Sequence, residues 1–562
     1  MANRSRSRRR PVAIAGGASM ALTVAGVVAP HAADATGLHV VTNTADSGTG
    51  SLREALQAAG DGDLVTFASS VTGAIDLTSP LHVDHAVTIH GPGADKLSID
   101  GQNQVVDLVV DDPNAGVVTI SGLTFTHGKG VTGGAVDIAS RSNVAMSRVR
   151  VTDSSASTGG GGIYVEQGSL SLRTSTVSGN TAPKGGGIFA NLVDGNGVTI
   201  KRSTVSGNTA TAGQGGGVYI RGASESLAPV DNASTACPAG TSLYLVEGYI
   251  PRCGYTPSGP PGYEYCPDVG TYYGVYDSCL IDPVTTETRT PGRYTSGGVS
   301  RITLSTIAGN TSPAGDAAVY LTRLGSESLI GSSTIASNVG GGIAADQPSV
   351  AFSLASDIVA ANTKDCLTGD LTDRGYNLDG DGSCGLTAPG SKPSAPGLAA
   401  ALGALRDNGG PTATMALALT SDPAAGAVPT GFALPGVGAP VCGVPDQRGV
   451  LAASGGCAAG AFQIEDAPSI RAILTHLRRS SSHGSPGRRI RVTFSCKSAA
   501  PKIDVTCPPP VTVHGAGDHT VTGTVIAEDG RTATVTKHVH VAVAGVDNAG
   551  NRVVRRGSYR AG

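Results

Sequence analysis

The phrase Ser-Thr-(Val/Ile)-x-x-Asn returns down the middle of this chain at nearly constant intervals, at Ser175, Ser203, Ser305 and Ser333. Looser copies surround it, with Phe125, Val151 and Ile358 as their central apolar residues. From one apolar position to the next the steps are 26 (Phe125 to Val151), 26 (to Val177) and 28 (to Val205). After a long gap come 28 (Ile307 to Ile335) and 23 (to Ile358). A repeat of this length means one supersecondary unit per period, which buries its apolar side only by stacking on its neighbours.

The unit can be read residue by residue. Five positions before each central residue stands another apolar one: Ile120, Met146, Leu172, Ile200, Ile302 and Ile330. Two earlier come Val118, Val144, Leu170 and Val198. A spacing of two is strand alternation with one face buried. A spacing of five is odd, so the inward phase changes between the two, as at a corner joining short strands. Gly-rich runs at Gly133, Gly159, Gly185, Gly215 and Gly340 then lead into a third strand. Three short strands per coil predict an all-β fold, a right-handed parallel β-helix. Asn180, Asn208, Asn310, Asn338 and Asn362 recur at one turn position. Stacked at the strand spacing of about 4.8 Å, their amides bond to each other and to the turn backbone, which makes them structural.

At 562 residues the chain exceeds an ordinary domain, but a solenoid lengthens without a larger core. Its 81 Gly, 4% aromatics and lack of Trp suit tight coils. Residues 1–35 read as a signal peptide: Arg4, Arg6, Arg8, Arg9 and Arg10, an apolar stretch, then Ala33-Asp34-Ala35 as a cleavage site. No later segment reaches the roughly 18 apolar residues of a membrane span, so no transmembrane anchor is expected in the mature chain. Loss of residues 1–35 takes the net charge from −3 to −7, which argues against a nucleic-acid partner. Six of the ten Cys form local pairs, Cys366/Cys384, Cys442/Cys457 and Cys496/Cys507, while Cys237, Cys253, Cys266 and Cys279 cluster. Their spacings match no zinc pattern and read as disulfides of a secreted or cell-surface protein.

Some segments resemble known families. Gly50-Ser51-Leu52-Arg53-Glu54-Ala55 is similar to the CSLREA region that opens many exported bacterial β-helix proteins, with Gly50 in place of the leading Cys. The resemblance implies an N-terminal cap with a short helix over residues 36–75 and a pectin-lyase-like solenoid over 76–363. Asp365–Leu386 and Val444–Glu465, with the GYNL phrase at Gly375, the DQRG phrase at Asp446 and a final GAF, resemble the choice-of-anchor Q region. It implies closing coils over 364–465 and a surface-anchoring device, although no sorting motif or apolar tail follows. Residues 466–489 read as a linker with one helical turn. From Ile490 to 562 about six alternating strands, with Cys496 near Cys507, look like a bacterial Ig-like β-sandwich.

The long gap in the repeat holds residues 222–296, with eight of the fourteen Tyr (Tyr244, Tyr249, Tyr255, Tyr263, Tyr265, Tyr272, Tyr273 and Tyr276) and four of the ten Cys. A Cys-stapled loop on a rigid scaffold is a common way to build a binding surface, and Tyr supplies rigid amphipathic contact area for proteins or sugars. The same Tyr also suit a small core internal to the insertion. Other candidates are weaker. His82, His85 and His90 lie close in sequence, His519, His538 and His540 are expected to share a sandwich face, and Asp107, Asp111 and Asp112 offer oxygen ligands for Ca²⁺ without an EF-hand spacing. No cofactor is expected beyond that weak Ca²⁺ possibility. Outward strand positions are mostly Ser, Thr and Gly, with scattered Arg148, Arg150, Arg173, Lys201 and Arg202 and no paired carboxylates. The favoured reading is a secreted or surface adhesin that binds a polysaccharide or surface protein. A polysaccharide lyase or glycoside hydrolase is the alternative, and an inert envelope spacer the second.

Overall fold

In a computed structural model the repeats wind as successive coils around one axis. The structure describes residues 37–464, apart from 113, 140, 194, 223–240, 247–249, 256–262, 267–270, 275–296, 326, 347–351, 368–370, 418–422, 437–439 and 453–455, with backbone alone for the strands between 241 and 274. It also describes the strands and most short connections between 469 and 553. Three parallel sheets run the length of the stack. Sheet 1 has eleven strands, from Leu38–Val41 to Leu371–Asp373, sheet 2 has ten, from Gly73–Asp76 to Leu378–Asp379, and sheet 3 has eight, from Leu81–Val83 to Ile343–Asp346. A fourth, four-stranded sheet of short segments (Lys129–Thr132, Ser155–Gly159, Thr181–Ala182, Thr209–Ala210) lies between sheets 2 and 3 in the middle coils. Among the described residues no helix is long and apolar enough to cross a membrane.

The predicted apolar columns are the core. Ile120, Met146, Leu172, Ile200, Ile302 and Ile330 follow one another in register along sheet 1, and Phe125, Val151, Val177, Val205, Ile307 and Ile335 along sheet 2. All are at most 2% exposed. The last member is corrected: Val359, not Ile358, stands beneath Ile335. Ile358 pairs with Thr334 on the outer side, where its side chain packs under the closing segment against Gly460. The odd spacing of five is explained by one left-handed residue at each corner between sheets 1 and 2. Gly122, Arg148, Thr174, Arg202, Leu304, Ser332 and Ser356 have φ between 48° and 64°. One such residue turns the strand and reverses its inward phase.

The repeated phrase encodes two ladders. Asn180, Asn208, Asn310 and Asn338 are at most 2% exposed, and each Nδ2 donates to the Oδ1 of the next Asn at 2.8–3.0 Å and to a carbonyl of the preceding coil. Asn362 ends the series by donating to Asp365 Oδ1 at 2.9 Å. The Gly runs make room for these amides: a Cβ on Gly187 would lie 2.6 Å from the Gly217 carbonyl and 3.0 Å from Asn208. The second ladder was not anticipated. At the first corner Ser175, Ser203 and Ser305 each donate a backbone N–H to the hydroxyl of the next Ser at 3.2 Å, and Ser333 donates to Asp357 Oδ1 at 2.8 Å. The Asn series thus passes to Asp365, while the corner series runs on from Asp357 N to Asn377 Oδ1 and from Asn377 N to Ser391 Oγ.

Both ends are covered. The helix Leu52–Ala58 is capped by Ser51, and Gly50 N donates back to Glu54, a reciprocal capping pair. Arg53 ties it to Asp46 and to the carbonyls of Ser79 and Pro80. Sheet 1 already begins at Leu38–Val41, within the segment expected to be cap alone. At the other end the described residues of 398–464 fold back over the outer side of sheet 2. Gln447 bonds Thr204 and Thr306, Thr204 reaches the Ala413 carbonyl, and Ala461 N donates to Thr334. The buried Arg448–Asp446 pair, 2.9 Å apart, lies over the Phe462 ring at 3.6 Å, so the DQRG and GAF phrases form one clamp.

Beyond it, Ser469–Leu477, Arg489–Lys497 and Val511–Val513 form one antiparallel sheet and Val505–Thr506, Gly517–Ala527 and Thr532–Val541 another. They share a core of Ile490, Val492, Val513, Val521, Val539 and Val541. The segment 469–477, expected as linker with a helical turn, is instead a nine-residue strand paired along its whole length with Arg489–Lys497. Its alternating apolar residues follow a period of two. The three local Cys pairs are disulfides, Cys366–Cys384, Cys442–Cys457 and Cys496–Cys507, and no described cysteine is free. Such bonds persist in oxidising surroundings, as in extracellular proteins.

Candidate functional site

The insertion leaves the coil after Gly222, at the end of a sheet 3 strand, and the chain rejoins sheet 1 with Val299–Thr303. Within it two antiparallel hairpins are described, Thr241–Val246 with Ile250–Tyr255 and Tyr263–Cys266 with Thr271–Gly274. Their register sets Tyr244 opposite Arg252, Tyr265 opposite Tyr272 and Glu264 opposite Tyr273. Tyr249, Tyr276, Cys237 and Cys279 lie outside the described residues, as do the side chains of Tyr244, Tyr255, Tyr263, Tyr265, Tyr272, Tyr273, Cys253 and Cys266.

Beside the exit point, the outer face of sheet 3 carries a row of rings that the sequence reading missed. The Gly runs at Gly133, Gly159, Gly185 and Gly215 are each followed by an apolar–x–apolar triplet whose middle residue points outward, Asp137, Tyr164, Phe189 and Tyr219, and Tyr320 continues the row in register before Ala344. The four rings stack nearly parallel, with centroids 5.1, 4.9 and 5.4 Å apart and interplanar angles of 9°, 15° and 9°. Two residues further along the same strands runs a polar row. Tyr164 OH donates to Glu166 Oε2 at 2.7 Å, Asn191 Nδ2 donates to Glu166 Oε1 at 2.8 Å, and Arg221 Nε donates to Asn191 Oδ1 at 3.1 Å. Arg221 is exposed and Glu166 half-buried. At the N-terminal end, half-buried Asp137 accepts from Thr132 at 2.7 Å. Burial pushes the Asp137 carboxyl up and the Glu166 charge adds to it, against the Thr132 bond. Burial also pushes the Tyr164 phenol up, reinforced by its bond to Glu166, so it stays a neutral donor.

The other candidates resolve differently. Asp107 and Asp112 are both 0% exposed, but they lie at opposite ends of the strand Leu108–Val110 and Asp111 is exposed, so the three do not converge on an ion. His82 and His90 are exposed on different strands and His85 pairs with Asp84. His538 and His540 stand opposite Thr520 and Asp518, while His519 stands opposite Val539 and so falls on the other face. That corrects the expected three-His face, because successive strand residues alternate sides.

A missed acidic group is Asp365, Asp379 and Asp381, with one oxygen from each within 4.8 Å of the others. Their oxygens already accept backbone N–H bonds from Gly380, Asp381, Gly382 and Cys384, and the Asn362 amide. Burial pushes Asp365 up to about 6, with Asp381 and Asp379 adding to it. The group closes the Asn ladder.

The sequence model of the family described as "Right handed beta helix region" matches residues 86–245. The coiled part of the chain has the fold of a right-handed parallel β-helix. Among solved structures it is similar to an alginate lyase from Paenibacillus sp. str. FPU-7, at 12% identity over 59% of this chain and 96% of that one, with a TM-score of 0.25. No curated protein matches.

Proposed function

We propose that this is an exported, surface-associated β-helix that binds a glycan through the outer face of sheet 3 and the insertion beside it. The observation that carries this reading is the ordered row Glu166–Asn191–Arg221 running next to the four stacked rings, one residue from where the insertion departs. A carboxylate, an amide and a guanidinium held in line offer the acceptors and donors that sugar hydroxyls need. The ring edges supply the apolar border such pockets use. Among the described residues the closing segment makes its hydrogen bonds to the sheet 2 side and its corners and none to the outer face of sheet 3. On this reading the two C-terminal sheets are an Ig-like spacer, and residues 1–35 direct export.

A glycan array with chain 36–562 tests it. Binding that is lost on Arg221→Ala and on deletion of 224–294 supports the proposal. Unchanged binding in both variants, or capture of a surface protein alone, rejects the glycan assignment.

One observation favours cleavage as a second reading: Asp137 and Glu166 flank a single phenol, Tyr164. Because that phenol is held neutral, it suits donation rather than proton abstraction, and binding stands first. Release of reducing or unsaturated sugar that disappears in Glu166→Gln would reverse the order.

A further inference from the structure

A different face carries an unexplained concentration of positive charge. Arg173 and Lys201 stand directly opposite one another on neighbouring sheet 1 strands, pointing outward. Arg148 and Arg202 occupy left-handed corners, both at φ 51°, and Arg150 opens the adjoining sheet 2 strand. Three successive coils thus present five cations, and among the described residues none of the five forms an ion pair. Arg148, Arg150 and Arg173 are exposed and Lys201 is half-buried. Arg202 marks the border with the closing segment: its Nη2 donates to the Pro445 carbonyl at 2.8 Å, while its Nε is buried without a partner.

The bond to Pro445 gives Arg202 a structural task, but folding physics gives no such reason for the opposed Arg173 and Lys201. Like charges directly opposite across a strand pair are destabilising. A left-handed corner suits Gly, as at Gly122 one coil before Arg148, better than Arg. Burial and the neighbouring Arg173 and Arg202 push the Lys201 ammonium down. The surrounding chain is net negative, so the patch reverses the general field.

We infer that the corner formed by Arg148, Arg150, Arg173, Lys201 and Arg202 binds an extended polyanionic glycan lying along the helix axis. Successive strands offer a cation at intervals of about 4.8 Å, comparable with the advance of one sugar residue in an extended chain. Carboxylates or sulfates repeated on that chain would each find a guanidinium or ammonium. The site is independent of the sheet 3 reading, which uses other residues on another face.

The test measures binding of polygalacturonate (carboxylate), heparin (sulfate), dextran (neutral) and duplex DNA (phosphate) to chain 36–562 at several salt concentrations. The expected result is that polygalacturonate or heparin binds and dextran does not. Arg173→Gln with Lys201→Gln weakens that binding at least tenfold and flattens its salt dependence, whereas Lys201→Arg and the distant Lys96→Gln leave it within twofold. The double variant keeps or raises Tm, because a repulsion has been removed. The inference is overturned if neither polyanionic glycan binds more than dextran, if the double variant loses less than twofold, or if Tm falls with the binding. DNA binding as tight as either glycan would overturn the glycan assignment.

Discussion

Two outward columns of the same solenoid, the rings on sheet 3 and the cations on sheet 1, obey identical geometry with opposite energetics. Parallel in-register strands set like beside like along the axis in both. For Tyr164, Phe189, Tyr219 and Tyr320 this repetition is favourable, about 1 kcal/mol for each stacked pair. For Arg173 and Lys201 it is unfavourable. A stacked column therefore reveals selection for binding most clearly where stacking works against the fold. The ring file needs its polar row before it speaks of a ligand, whereas the cation column speaks without help.

The comparison can be broken by substitutions whose stability effects should rank in a fixed order. The inside of the coil sets the upper mark. Asn208→Ala removes an amide that bonds Val177 O, Asn180 and Asn310, and should cost about 3 kcal/mol in denaturant unfolding. Phe189→Ala takes out a ring between Tyr164 and Tyr219 and should cost about 2 kcal/mol, together with loss of glycan binding. A stability-neutral Phe189→Ala would show that the file does not support itself. Asp365 comes next, because its effect is confined to a pH window. Its carboxyl rises from 3.8 to about 6 in the folded chain, so between those values the fold holds the proton more tightly than the unfolded chain. Its contribution favours the fold at pH 4 and is lost as the pH rises through about 6. The Tm of the wild type should accordingly gain on that of Asp365→Asn as pH falls from 7 to 4, and a constant difference would refute the assignment. Smallest is Lys201→Gln, which should raise stability by about 0.5 kcal/mol. Any loss would erase the contrast between the two columns.

Much of this architecture was legible because a coil repeats its own instructions. The apolar columns, the Asn ladder and the local disulfides follow from spacing within the chain. Ser175 and its successors were equally visible as the first letter of the phrase, but a serine hydroxyl at a corner has no distinctive side-chain signature until the coils are stacked. The pairing of Asp137 with Tyr164 and Glu166 was hidden for a related reason: the residues belong to neighbouring coils, and only the strand register brings them together. Ile358 misled because the closing segment makes an outward position apolar, which imitates an inward one.

Val205 and Ile307 sit side by side in sheet 2 although the whole insertion separates them in the chain. A rung is held by the rungs above and below it, so whatever is spliced into a corner leaves the hydrogen bonding of the stack intact. The site after Gly222 is thus a socket: natural variation can lengthen, trim or exchange its contents without renegotiating the frame that carries them.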